Sequence, residues 1–258
     1  MYQTLKPLRP ADHSGLRLLP VTDYRFARAE VVAPITIDEV ASVAREYPIV
    51  FTQGGTWPVA LMGVEKDANA YVGKDGQWLA AYIPAHIRQY PLAITRAPVQ
   101  AANGAAKAQE QPRFVVLIDE ASALLSPSEG QPLFAKDGQL AAAGQQRMRL
   151  MEQMQTRAGL TQRLVQAIDA AGLLVERAIR IQREGGTGSQ VSGIRLIDEA
   201  ALNKLDDAAF NALRKSGALP LVYASLLSWA NFRQGPIGKS HPLPLPSGML
   251  DEDVIRFN

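Results

Sequence analysis

The sequence contains no cysteine, which excludes disulfide frameworks, thiolate zinc sites and cysteine nucleophiles together. It has no run approaching the roughly 18 apolar residues that cross a bilayer. The longest apolar stretch, Leu219 to Ala230, is interrupted by Pro220, Ser225 and Ser228 and reads as a buried helix. The opening MYQTLKPLRPADHSG lacks the apolar core of a signal peptide, so a cytoplasmic protein that does not span a membrane is expected. Charge of one sign is scarce too: the net charge is +2. Nucleic-acid binding needs lysine and arginine gathered on one face beside stacking aromatics. Arg147, Arg149, Arg157 and Arg163 are instead dispersed among glutamines, the pattern of a solvated helix face, and no nucleic-acid partner is expected.

Catalytic and cofactor motifs are equally sparse. The three histidines, His13, His86 and His241, stand far apart, with no HExxH, HxH or carboxylate–histidine spacing, so no metal is expected. GGTGSQVSG at 185–193 has glycines but no following Lys-Ser/Thr and no apolar strand running directly into it. It fits neither the P-loop nor the dinucleotide fingerprint, and no cofactor is expected. There is no GxSxG elbow. Ser225 in YASLLSW lies inside a helix, where its hydroxyl can bond to the preceding turn.

What is present is an ordinary globular composition, with 47% hydrophobic and 20% charged residues. Proline punctuates residues 1–35, and Thr36-Ile37-Asp38-Glu39 is a helix start with capping oxygens and first-turn acids. Strands are predicted at 47–51 (YPIVF), 59–64, 92–95, 114–118 (FVVLI), 173–181 and 194–197. Residues 70–72 and 77–83 flank Gly73-Lys74-Asp75-Gly76 and read as a hairpin. Pro84 opens a short helix over 85–89. Residues 97–113 read as an exposed loop, and Gly185 to Ser189 as a flexible turn. Helical spacing runs over 141–171, where Gly159 and Thr161 predict a break into two helices. Asp206 or Asp207 caps 208–215, Gly217 closes it, and Leu219 to Phe232 is the last core helix. The fold class is therefore α+β: a mainly antiparallel sheet covered by helices from the C-terminal half. One domain over 1–235 is expected, followed by an extended proline-rich tail over 236–258.

Two groups of residues stand out as candidate sites. Trp78, Tyr82, His86, Arg88 and Tyr90 put aromatic rings beside basic groups, a combination able to hold an anionic or peptide ligand. The weightier alternative makes the aromatics core and pairs Arg88 with an acid. Asp119-Glu120 and Asp198-Glu199 are acidic pairs able to serve as acid and base or to hold a divalent ion, although helix capping is the commoner use of such residues at strand ends. Ile-Asp-Glu occurs at 37–39, 118–120 and 197–199, and is read as local junction chemistry rather than a duplicated unit.

YPIVF at 47–51, ALMGVE at 60–65, DGQWLAAYIPAHIRQYP at 75–91, FVVLIDE at 114–120, GLL at 172–174, IDEAALNKL at 197–205 and YASLLSWANF at 223–232 together resemble the SapC family, in order and spacing, from about residue 2 to 233. The resemblance implies a shared fold and an association with bacterial surface-layer loci, peptide transport or surface-protein export. It also implies neighbourhoods of TonB-dependent receptors and flavin-dependent tryptophan halogenases, and carries over no catalytic residue. With no membrane-spanning segment, this chain would not itself be a permease. The resulting expectation is a soluble accessory or binding protein with a protein or peptide partner, and self-association as a further possibility. The alternative is a peptide- or small-molecule-modifying enzyme using Asp119, Glu120 and His86. An enzyme requires polar groups converging in one pocket, whereas a binding module leaves the acids dispersed and an apolar surface free.

Overall fold

The computed structural model describes residues 1–96, 114–181 and 189–240. The loop expected at 97–113, most of the turn expected at 185–189 and the tail from 241 onward lie outside the described residues.

The chain begins with β1 (Leu5–Pro7), α1 (Pro10–His13) and β2 (Arg17–Leu18). A 3-10 turn at Arg25–Ala27 leads to β3 (Val32–Pro34), and a second at Ile37–Glu39 runs into α2 (Val40–Val43). Then come β4 (Ile49–Thr52), β5 (Pro58–Leu61), α3 (Ala85–Arg88), β6 (Leu92–Arg96), β7 (Phe114–Asp119), β8 (Leu125–Ser126) and β9 (Gln131–Pro132). The long helix α4 (Ala142–Ala170) precedes the hairpin of β10 (Leu174–Ile181) and β11 (Ser189–Ile197). Five helices follow: α5 (Glu199–Asn203), α6 (Asp207–Ser216), α7 (Leu219–Ser228), α8 (Asn231–Gln234) and α9 (Pro236–Ser240).

The architecture is α+β and the strand pairing antiparallel, but the strands of the described residues form separate sheets rather than one. They belong to two compact units, each built from discontinuous chain: Met1–Thr22 with Arg88–Gln153, and Asp23–Ile87 with Met154 onward.

In the first unit β7 is the centre of a three-stranded sheet in the order β1-β7-β6, and β2 joins β8 and β9 in a smaller one. Its core is Leu92, Ile118, Leu133, Phe134 and Met151, with Ile94, Val116 and Met148 packed around them. Of the apolar run 114–118 only Ile118 is buried; Val115 to Leu117 are half-buried and Phe114 is exposed.

The second unit holds a five-stranded sheet ordered β10-β11-β4-β5-β3. Strands β4 and β5 are almost wholly buried, as the unbroken apolar runs at 49–51 and 58–61 require. Helix α7 packs on β4 and β11, and its serines do the docking. Ser225 Oγ donates to Ile49 O at 3.0 Å, and Ile49 N donates to Ser228 Oγ at 2.8 Å. The Ser225 hydroxyl thus bonds across to the sheet, not back into its own helix as the sequence suggested.

Three further expectations are corrected. Helix α4 is continuous through Gly159 and Thr161. A mid-helix glycine costs only about 1 kcal/mol, and the buried Thr161 hydroxyl is used twice: it donates to Arg157 O at 2.9 Å and accepts from Ile37 N at 3.0 Å. The expected last helix divides after Ser228, and Asn231–Gln234 forms α8. Pro236–Ser240, expected to be extended, is the short helix α9, whose proline stands at its first position where no donor is needed.

Candidate functional site

The stretch from Tyr71 to Ala85 is organised by side chains that reach it from residues 36–47. The turn at Gly73–Gly76 forms as expected: Gly73 N donates to Gln77 O at 2.9 Å, and Gly76 takes the left-handed φ of 82°. The flanking hairpin does not form; a single bridge joins Val72 to Trp78. The reason is competition for backbone donors. The Glu46 carboxylate accepts from Ala81 N and Tyr82 N, each at 2.7 Å. Glu39, itself buried, accepts from Ala85 N at 2.8 Å and Tyr82 Oη at 3.1 Å, while its other oxygen accepts from Thr36 N at 2.9 Å. One glutamate therefore closes the capping box of the 36–39 turn and fixes the segment that leads into α3.

Aromatic rings pack in a row on this frame. Tyr47 stacks on Tyr71 with centroids 4.2 Å apart, and Tyr71 lies 6.4 Å from Trp78 at 27°. Trp78 meets Tyr24 edge-on at 5.4 Å, and Tyr24 meets Phe26 at 5.8 Å. Trp78 Nε1 donates to Tyr47 Oη at 2.7 Å, Tyr47 Oη donates to Tyr82 O, and Tyr71 Oη donates to Glu46 O at 2.6 Å. Burial pushes the Tyr47 and Tyr71 phenols well above their ordinary pKa, so both are neutral hydrogen-bonding groups. The row begins at buried Tyr71 and Tyr47 and ends at half-buried Trp78, Tyr24 and Phe26; Leu79, which follows Trp78 in the chain, is 44% exposed.

His86 is half-buried on α3. Burial lowers its pKa, opposed by the carboxylates of Glu30 and Glu39, and the ring is neutral at pH 7. Of the five residues read as one aromatic–basic group, Trp78, Tyr82 and His86 fall in the second unit, and Arg88 and Tyr90 in the first. Arg88 is exposed. Tyr90 is buried, packs on Tyr2 at 5.5 Å and donates from Oη to Asp119 at 3.2 Å.

The acidic pairs are bound into the fold. Asp119, fully buried at the end of β7, accepts from Thr4 N at 2.7 Å, Gln3 N at 3.1 Å and Tyr90 Oη, tying the N-terminus to β7. Glu120 contacts Lys6 Nζ at 2.6 Å and the buried His13 Nε2 at 3.2 Å; its carboxyl is held below the usual range by the hydrogen bond from Lys6. Asp198 caps α5 through a bond from Ala201 N at 3.0 Å, with Glu199 in the first turn. The three Ile-Asp-Glu junctions thus put their acids to three different structural uses. Among the described residues no cluster of histidine and carboxylate side chains is grouped to hold a metal ion.

The model of one protein family, SapC, matches residues 8–234, most of the chain. The chain belongs to the SapC family. No curated protein and no solved structure matches it. For this SapC chain, the family match covers both compact units, including the whole aromatic row. Tyr24, Phe26 and Leu79 were not among the residues singled out from the sequence. More than 50 residues separate Tyr24 and Phe26 from Trp78. The only local signal was an alternating aromatic pair beside the acidic Asp23, which accepts from Arg25 N at 2.8 Å.

Proposed function

We propose that this SapC protein is a non-enzymatic binding or accessory protein in bacterial surface-protein or peptide handling, acting in the cytoplasm through a peptide or protein partner. Its contact surface is the half-buried end of the aromatic row: Trp78, Tyr24, Phe26 and Leu79. The observation that carries this reading is the division of labour between polar and apolar groups. The carboxylates of the candidate acidic pairs are engaged in holding the fold: Asp119 accepts from the amides of Gln3 and Thr4, Glu120 contacts Lys6, and Asp198 caps α5. The aromatic row, by contrast, is rigidly framed and leaves ring and leucine surface in water. Rigid aromatics with few rotatable bonds are efficient contact groups because little side-chain entropy is lost on binding.

The test is fluorescence anisotropy with labelled ten-residue peptides of three kinds: extended apolar, extended proline-containing and acidic. Saturable binding of an extended peptide, weakened at least about ten-fold by Leu79→Asp, is expected; that factor corresponds to about 1.4 kcal/mol. Absence of binding, or binding unaffected by Leu79→Asp, contradicts the assignment of the surface.

A second reading, self-association, is favoured by α7. Leu227 is 76% exposed and Tyr223 45% exposed, one helical turn apart on a helix that is apolar almost all round. Sedimentation velocity over a hundred-fold concentration range tests it: Leu227→Glu abolishes association if α7 is the contact and leaves it unchanged otherwise.

A further inference from the structure

Helix α7 carries an apolar ridge whose charged neighbours in the chain are all basic. The bonds of Ser225 and Ser228 to Ile49 fix which side of α7 faces β4. At about 100° per residue, Pro220, Tyr223, Leu227 and Ala230 all fall within about 40° of the direction opposite Ser225. All four are exposed. Trp229 and Ala230 keep right-handed helical dihedrals, with φ of −64° and −54°, so the helical path continues into α8. Arg233 N donates to Ala230 O at 3.1 Å, which puts the exposed Arg233 one turn past the last apolar residue of the ridge. The other end is basic as well. The exposed Arg214 and Lys215 stand in the last turn of α6, Gly217 turns the chain in the left-handed conformation, and Pro220 follows. From Ala208 to Ser240 the sequence contains no aspartate or glutamate, and its charges are Arg214, Lys215, Arg233 and Lys239.

The basic flanks bear on what the ridge is fitted to. When α7 pairs with a second copy about a two-fold axis, parallel or antiparallel, basic ends meet basic ends, and like charges across an interface are unfavourable. Tyr223 and Leu227 are also few large exposed side chains for an interface of roughly 800 Å² per partner. An anionic bilayer satisfies ridge and flanks together. An interfacial helix buries its apolar side at the boundary of headgroups and acyl chains, while lysine and arginine reach out to the headgroups. Tyrosine suits the same depth, because its ring is apolar and its hydroxyl polar. The cationic flanks add an attraction that reaches beyond contact and is screened by salt.

We infer that the Pro220–Tyr223–Leu227–Ala230 ridge of this SapC protein docks on an anionic phospholipid surface, with Lys215 and Arg233 drawing in headgroup phosphates. The inference goes beyond the peptide-binding reading and uses no residue of the aromatic row, so either stands without the other. Self-association through α7 is the competing use of the same ridge, and the experiment separates the two.

The test is co-sedimentation of the full chain with vesicles, either of phosphatidylcholine alone or of two parts phosphatidylcholine to one part phosphatidylglycerol. The native chain, Leu227→Glu and a double variant with Lys215→Gln and Arg233→Gln are compared at low and high salt. All three substituted side chains are exposed, and circular dichroism checks that each variant is folded. Expected is saturable binding to the phosphatidylglycerol vesicles alone, weakened at least about ten-fold by Leu227→Glu and by the double variant, and lost at high salt. Equal binding to both kinds of vesicle, or binding indifferent to salt and to the double variant, overturns the anionic assignment. Absence of binding to either kind, or binding unchanged by Leu227→Glu, overturns the ridge as the docking surface. A native dimer that Leu227→Glu dissociates in sedimentation velocity, without vesicle binding by the native chain, gives the ridge to a second copy and overturns the inference.

Discussion

Replacing Glu39 by glutamine tests one of the two carboxylates that frame the candidate site. Its two oxygens divide the work: Oε2 serves Thr36 N and Thr36 Oγ1, and Oε1 serves Ala85 N and Tyr82 Oη. The two hydroxyls can rotate to other acceptors, but the amides of Thr36 and Ala85 cannot. Glutamine keeps one acceptor and turns an NH2 towards the other pair, so one buried amide loses its partner whichever way the side chain is placed. An unsatisfied buried donor costs about 1–3 kcal/mol, and the surviving bonds lose their charge assistance. Glu39→Gln is therefore expected to destabilise the second unit by about 2–4 kcal/mol. Urea unfolding followed by circular dichroism should show the midpoint falling by roughly 1–2 M, given typical denaturant slopes. Amide exchange at Tyr82, Ala85 and Thr36 should accelerate with it. A midpoint lowered by less than about 0.3 M would refute the reasoning, because Glu39 would then be free for some other use.

Ser228→Ala leaves the buried Ile49 N without its acceptor and should cost about 1–3 kcal/mol, measured in the same unfolding experiment; a neutral result would mean that α7 is not held on β4 by this bond. Gly76→Ala combines a φ of 82° with a Cβ 2.2 Å from Asp23 Oδ1. It should destabilise the 73–76 turn by about 1–3 kcal/mol and shift the Tyr24 amide, which donates to Gly76 O; a native-like spectrum and midpoint would count against the turn. The depressed pKa of His86 has a definite sign. Its neutral form is favoured by folding, so its contribution is complete above 6.5, the ordinary value, and is lost as pH falls from there through the lower folded value. The imidazole carbon shift of His86 should titrate below pH 6.5, and titration at or above that value would contradict the burial argument.

How much of this was legible beforehand depended on the range of the interaction responsible. YPIVF announced a buried strand because its apolar run carries that information locally, whereas FVVLI announced a strand but not its exposure: Phe114 is exposed, Val115 to Leu117 are half-buried and only Ile118 is fully in the core. Asp206 and Gly217 likewise announced both ends of α6, through side-chain capping and a left-handed terminal residue. The misread stretches are those where a distant side chain overrules the local pattern. Residues 77–83 have strand-like composition, but Glu46 takes the amides of Ala81 and Tyr82, 35 and 36 positions away, and Glu39 takes the Tyr82 hydroxyl and the following amide of Ala85. Thr161 reads as a helix breaker until Ile37, 124 positions away, is seen bonded to its hydroxyl. The candidate surface was half legible for the same reason: Trp78 was visible, while Tyr24 and Phe26 meet it across more than 50 residues of chain, with Tyr24 N donating to Gly76 O.

The central claim is that the half-buried end of the aromatic row is the contact surface of this SapC protein, and the three tryptophans provide its most direct test. With indole nitrogens labelled, Trp57, Trp78 and Trp229 report on three different places in the chain. Titration with the extended peptide that binds best in the anisotropy panel should move the Trp78 resonance progressively and to saturation, with Trp57 and Trp229 unmoved. A saturating shift at Trp229 with Trp78 unmoved, or no shift at any of the three, would contradict the account.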